Sequence, residues 1–166
     1  LLAALKESDI VLINGGSSKG SEDYSIPLIQ KYGEVLQHYV SSAPGRPMSV
    51  SLVHGKLIIN VPGPTLAAFA VADWAVRPAI SYYLQAEEKM SDEVDVILEK
   101  ELKSPPFMEI YTRVIVSERD GVYYAAPLSR EARMEDGFGR CNGILVTELG
   151  RKGYQAGDKA KVKMIV

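Results

Sequence analysis

The chain has 166 residues, 46% of them hydrophobic, a formal net charge of −2 and one cysteine. That is enough apolar material for packed cores and argues against a disordered chain, while a pI near 5.8 gives no overall attraction to nucleic acid. A lone cysteine excludes an internal disulfide and fits a reducing, cytoplasmic setting; no apolar run reaches membrane-spanning length, so neither nucleic acid nor membrane is expected as a partner.

Leu1–Asp9 reads as the tail of an amphipathic helix with no cap and no initiator methionine. A doubly wound α/β domain needs more βα units than follow, so the chain is expected to begin inside a domain, as a fragment. Strand Ile10–Ile13 then empties into Asn14-Gly15-Gly16-Ser17-Ser18-Lys19-Gly20, with Asp23 and a helix around Tyr24–Tyr32 behind it. Glycines let the main chain approach a phosphate, hydroxyls donate to it, and the amides of such a loop can hold an anion. The plainer reading is a tight strand-to-helix turn with a Ser or Asp cap, Asp23 merely favouring a helix N-terminus and Lys19 meeting only water.

Gly33 ends that helix as a glycine C-cap. Glu34–Val40 and Met48–Val53 are expected strands, separated by Ala43-Pro44-Gly45-Arg46-Pro47, and His54-Gly55-Lys56 is a hairpin turn. Leu57–Val61 is a continuous apolar run suited to a strand buried on both faces. It stops at Pro62-Gly63-Pro64-Thr65, with Thr65 as cap of a long helix from Leu66 to Leu84. Phe69, Trp74, Val76 and Ile80 form its packed side, and Pro78 should kink it or end its first part. The alternation predicts a mostly parallel sheet with helices on both faces, whose ligands sit beyond the carboxyl ends of the strands.

Gln85–Asp92 is polar and marks the boundary between residues 1–86 and 87–166. Beyond it the apolar period becomes two, over Val94–Glu99, Ile110–Val116, Val122–Ala126, Ile144–Leu149 and Ala160–Val166. Arg119-Asp120-Gly121 and Gly157-Asp158 supply turns. Five short strands with turns of this kind describe a small β-barrel or sandwich. His38 and His54 have no partner pattern and read as structural or surface residues. Cys141 reads as a small core residue, and Trp74 and Phe69 as core rather than ligand stackers. Tyr82-Tyr83 fits a domain interface or the core equally.

Four motifs, in order, resemble the molybdopterin molybdenumtransferase family (MoeA and the E domain of gephyrin). Asp9-Ile10-Val11 with Gly15-Gly16-Ser17-Ser18-Lys19-Gly20 and Asp23 is similar to D-hydrophobic-S-G-G-V-S-x-G-x-x-D. Pro44-Gly45-Arg46-Pro47 looks like K-P-G-K-P. Val61-Pro62-Gly63-Pro64-Thr65 with Ala67-Ala68, and Val76-Arg77-Pro78 after it, resembles L-P-G-N-P-V-S-A and V-R-P. Arg113, Cys141-Asn142-Gly143 (similar to A-N-G) and Gly157-Asp158 complete the set. The resemblance implies a partial three-layer α/β domain of the MogA type, its N-terminal half missing, followed by a C-terminal β-barrel.

It further implies molybdenum cofactor biosynthesis. The chain would bind molybdopterin or its AMP adduct, and the intact protein would insert molybdate with release of AMP, using Mg²⁺ and working as a homodimer. Carried over residue by residue, Gly15, Gly16, Ser17, Ser18, Lys19 and Gly20 become the cofactor-binding loop, joined by Pro44, Gly45, Pro62, Gly63 and Thr65. Asp23, Arg46 and Arg113 take the catalytic roles, with Asp23 also supporting Mg²⁺. The first lysine of K-P-G-K-P is Ala43 here and the second is Arg46, which can still bind an oxyanion in a bidentate way. The asparagine of L-P-G-N-P is Pro64, its second proline Thr65, and the serine of that motif falls at Ala67. The serine-rich stretch before A-N-G is replaced by Arg130-Glu131-Ala132-Arg133. These departures leave two alternatives standing: a catalytically silent binding or scaffolding module, and a molybdopterin adenylyltransferase.

Overall fold

A computed structural model describes residues 1–15, 24–87, 91–129 and 140–165. The chain divides into two compact units, Leu1–Val40 with Pro44–Glu88, and Ser41–Ala43 with Lys89–Val166. None of the described helices is long and apolar enough to cross a membrane.

The first unit opens with α1 (Leu2–Glu7), β1 (Ile10–Asn14), α2 (Ser25–Tyr32) and β2 (Gly33–His38). After β3 (Ser42–Ala43), which belongs to the second unit, come β4 (Ser49–Val53), β5 (Lys56–Val61), α3 (Thr65–Val71) and α4 (Arg77–Tyr83). Its four strands are ordered β1-β5-β4-β2. The expected parallel pairing holds for β1 with β5, whereas β5–β4 and β4–β2 are antiparallel, so the sheet is mixed. The reason is the two-residue turn His54-Gly55, with φ of 52° and 76°. Both central residues are left-handed, the type I′ geometry that folds a strand back onto its neighbour.

Because successive residues of β5 point to opposite faces, the apolar run feeds two cores. Ile58 joins Leu5, Val11, Ile29 and Val53 on the α2 side. Ile59 and Val61 join Met48, Val71 and Val76 on the side of α3, with Trp74 packed against them. Each fully buried Ile contributes on the order of 1.5–3 kcal/mol relative to exposure. Ile80, expected inside, is exposed, and Phe69 is half-buried; Val71 takes the packing role expected of them. Pro78 does not end the helix. Ala72–Val76 forms a π-turn in which the Arg77 N–H donates to the Ala72 carbonyl, and Pro78 sits in the first turn of α4. A π-turn admits one extra residue, shifting the register ahead of a residue that has no N–H to give. Gly33 ends α2 as expected, with an extended φ of −170° and its N–H donating to the Ile29 carbonyl.

Lys56 ties α1 to this sheet, its Nζ donating to the Leu5 carbonyl at 2.7 Å and the Ser8 carbonyl at 2.9 Å. Both acceptors lie at the C-terminal end of α1, where backbone carbonyls lack helical partners. Lys56→Met should therefore cost about 2 kcal/mol of first-unit stability, read by urea unfolding. An unchanged midpoint would show that water replaces both contacts freely.

The second unit contains β6 (Glu93–Leu98), β7 (Leu102–Lys103), β8 (Glu109–Arg119), β9 (Val122–Pro127), β10 (Gly143–Thr147), β11 (Gly153–Tyr154) and β12 (Lys159–Met164). Strands β10-β12-β6-β9-β8 form a ring closed by β8–β10 pairing, a five-stranded barrel, with β3 added in parallel to β8. Val96, Leu98, Val114, Val116, Leu145 and Val162 fill its interior. Asp120 and Gly121, with φ of 52° and 76°, make the predicted turn between β8 and β9. At the closing turn the Gly157 N–H donates to the Leu98 carbonyl and the Leu98 N–H to the Asp158 carbonyl. The β7–β11 ribbon and β3 were not expected; two-residue strands carry no readable period.

Candidate functional site

Parallel β1 and β5 leave the sheet at the same end, Asn14 opposite Val61. One residue on, the Gly15 N–H donates to the Val61 carbonyl at 2.8 Å. Gly15 has φ of +87°, and a Cβ there would meet nothing within 4 Å, so backbone conformation rather than space requires the glycine. The glycine loop therefore starts against the Pro62-Gly63 turn. Gly16, Ser17, Ser18, Lys19, Gly20 and Asp23 lie outside the described residues.

Strand β4 runs the other way, so its first residue, Ser49, pairs with Asn60 near the exit of β5. The preceding turn, Pro44-Gly45-Arg46-Pro47, thus belongs to that same end. It is held by Met48 N–H to the Gly45 carbonyl at 3.1 Å and Val40 N–H to the Arg46 carbonyl at 3.0 Å. Gly45 has φ of +115°, and a Cβ would lie 3.2 Å from Val71 Cγ2. Arg46 is exposed, and Gly63 is exposed with open space above it. Thr65 does not cap α3. Pro64 is the cap residue and Thr65 the first helical residue, without a side-chain capping bond.

Beside these turns lies a hollow of about 410 Å³, walled by Leu12, Phe69, Ala72 and Val76 and edged by Asn14 and Thr65. Its walls are apolar and its two polar groups sit toward the turns, a layout suited to a ring bearing an anionic tail. A larger hollow, about 850 Å³, opens at the opposite end of the sheet beside Asp9, Gly55, Tyr82 and Tyr83. It contains none of the predicted site residues. There the hydrogen bond to Asp9, with burial second, holds the Tyr83 hydroxyl above its usual range.

Arg113 lies on β8 in the second unit. It is buried rather than solvated: Nη2 donates to the Ser129 carbonyl at 3.4 Å and the residue pairs with Ile144. Burial pushes the Cys141 thiol up, and the neighbouring Arg113 guanidinium opposes that shift. Among the described residues no group of three or more His, Cys, Asp or Glu is placed to hold a metal ion. Asp23, assigned to Mg²⁺ from the sequence, lies outside them. One polar residue, Asn60, was not singled out in the sequence, although it is the one polar residue inside the Leu57–Val61 run; both it and Asn142 are built into the framework.

Residues 1–82 match the family profile described as "Probable molybdopterin binding domain", and residues 95–165 match "MoeA C-terminal region (domain IV)". The molybdopterin molybdenumtransferase of Bacillus subtilis is 24% identical over 164 residues, which is 98% of this chain and 38% of that protein. The Staphylococcus aureus protein of the same name is 26% identical over 162 residues, 96% of this chain and 38% of its own length. A crystal structure of a MoeA protein from Pyrococcus horikosii superposes with a TM-score of 0.79 at 21% identity, covering 98% of this chain and 39% of that one. The chain thus spans less than two-fifths of the length of these relatives.

Proposed function

Since the chain belongs to the MoeA-type molybdopterin molybdenumtransferase family, we propose that its first unit binds molybdopterin, free or as the AMP adduct, at the sheet end where the three turns meet. The observation that carries this is the 2.8 Å bond from the Gly15 N–H to the Val61 carbonyl, which sets the glycine loop against Pro62-Gly63. The terminal phosphate would take backbone donors of the Gly15–Gly20 loop and the N-terminus of α2, where the helix dipole favours negative charge. Lys19 and Arg46 would add cations, Arg46 as a bidentate oxyanion clamp. The pterin ring would occupy the hollow beside Asn14 and Thr65.

In the intact protein molybdate is the substrate, and its insertion with loss of AMP is mainly a matter of electrostatic positioning. Asp23, Arg46 and Arg113 are proposed for it. The described residues supply no carboxylate set for Mg²⁺, and no step is assigned to that ion. A homodimer and a cytoplasmic setting belong to the same proposal. Isothermal titration of the full chain with molybdopterin and with its AMP adduct should give saturable binding. Gly15→Val should weaken it at least tenfold, about 1.4 kcal/mol. Absence of heat with both ligands would overturn the reading.

A second reading, a binding module without transferase activity, draws on Ala67. This residue is buried in α3 and brings a methyl group where the family motif has a serine hydroxyl. Pterin binding without rescue of molybdoenzyme activity in a transferase-deficient strain would favour it.

A further inference from the structure

The centre of the first unit's sheet holds polar groups that an apolar core does not need. Asn60 is completely buried in β5, paired with Ile13 of β1 on one side and Ser49 of β4 on the other. Its Nδ2 donates to Ser25 Oγ at 2.8 Å, and Ser25 is the first residue of α2. Asn60 Oδ1 has no hydrogen-bond partner, nor do the buried hydroxyls of Ser49 and Ser51. Directly paired residues share a face, and Ser49, Ser51 and Val53 alternate along β4, so these oxygens lie on the side of Val53 and α2. The next residues outward on that face, Ile58 and Val53, make ordinary apolar contacts with Ile29. A polar side chain buried with an unmet acceptor weakens the core unless its position serves something else.

We propose that Asn60 is a positioning residue: through Ser25 it fixes the first turn of α2 to the exit of the central strand, and so sets the amides that close the ligand end of the sheet. The inference rests on the molybdopterin reading above. Ser25 begins the helix that follows the glycine loop, and Asn60 is two residues before Pro62. A single hydrogen bond between them therefore links two of the three turns from below, on the face opposite the hollow. Thermal motion of the α2 start relative to β5 is what this bond restricts; Ser51, two pairs further from the exit, restricts nothing there.

The test compares Asn60→Ala, Ser25→Ala and Ser51→Ala in the full chain. Hydrogen exchange without ligand should be about tenfold faster at the Leu28 amide, whose N–H closes the first turn of α2 on the Tyr24 carbonyl, in the first two variants and unchanged in the third. Molybdopterin affinity, by titration, should fall about tenfold in the first two, within twofold of wild type in the third, and no further in the Asn60→Ala/Ser25→Ala double variant. Ser25→Ala removes the same bond from the half-buried end, so it remains informative should Asn60→Ala unfold. Unchanged exchange in both bond-breaking variants overturns the proposal, as does faster exchange with unaltered affinity. If wild type binds no molybdopterin, the functional reading falls, and exchange alone then decides whether Asn60 holds α2.

Discussion

Gly33→Ala should destabilise the first unit by about 3 kcal/mol or more, a large share of the 5–15 kcal/mol that holds a typical domain. Gly33 ends α2 and starts β2 in one residue: its N–H donates to the Ile29 carbonyl while it pairs with Val53 of β4. At this junction a Cβ would sit 2.1 Å from the Leu52 carbonyl oxygen and 2.8 Å from Val53 Cα. Both are backbone atoms of a strand fixed on its other edge by β5, so neither can swing aside. Strand β2 would have to leave β4, taking the Glu34–Leu52 and Val35–Ser51 pairs with it. Strain in φ plays no part, since −170° is open to any residue. Gly55→Ala is the control: its φ of +76° carries a left-handed penalty, but its surroundings are open, and it should lose only about 1 kcal/mol. Trp74 is the chain's one tryptophan and packs in the first unit, so its fluorescence in urea follows that unit alone. Equal losses for the two variants would show that the close approach relaxes.

How much of this was legible in the sequence depended on whether a feature is local. The hairpin turn at His54-Gly55-Lys56, the strand read over Ile10–Ile13 and the alternating strands of the barrel come from neighbours in the chain, and period and turn chemistry report neighbours. Pairing direction is not local. Leu57–Val61 reads as buried in any mixed sheet, and the parallel expectation yielded at β4 to a hairpin the sequence itself displayed. The diversion of Ser41–Ala43 into the second unit has no sequence signal, because the two paired residues, Ser42 and Ala43, supply no periodicity and their partner, Glu109–Ile110, is remote. At the candidate site, Gly15, Gly45 and Gly63 were identifiable as turn glycines. Their meeting at one end follows only once β1 is parallel and β4 antiparallel to β5. Thr65 was misplaced by one residue because Pro64 already supplies the geometry with which α3 begins.

The doublet Asn142-Gly143 shows the opposite case, a motif whose physical work no spacing argument exposes. Asn142 Oδ1 accepts the Val116 N–H at 2.7 Å and its Nδ2 donates to the Val116 carbonyl at 2.9 Å, so the side-chain amide pairs with β8 as a peptide group would. Its own carbonyl accepts the Ile165 N–H at 2.8 Å, joining the ends of β10 and β12. Gly143 lets this happen, since a Cβ there would lie 2.5 Å from Val162 Cγ1 inside the barrel. Asn142→Leu leaves both backbone groups of Val116 without partners and should cost about 3 kcal/mol in the second unit. Asn142→Asp separates the two bonds: a carboxylate still accepts the N–H but turns its second oxygen toward the Val116 carbonyl. Protonation restores a donor, so the folded state should raise the pKa of Asp at this position. The stability gained by the protonated form is then full below the unfolded value of about 4 and is lost as pH rises through the folded one. Unfolding of the second unit, followed by far-UV circular dichroism, should therefore show Asn142→Asp approaching wild type in acid and falling behind Asn142→Leu or matching it near neutrality. A gap that does not change with pH would mean that the amide's donor makes no difference to how the barrel closes.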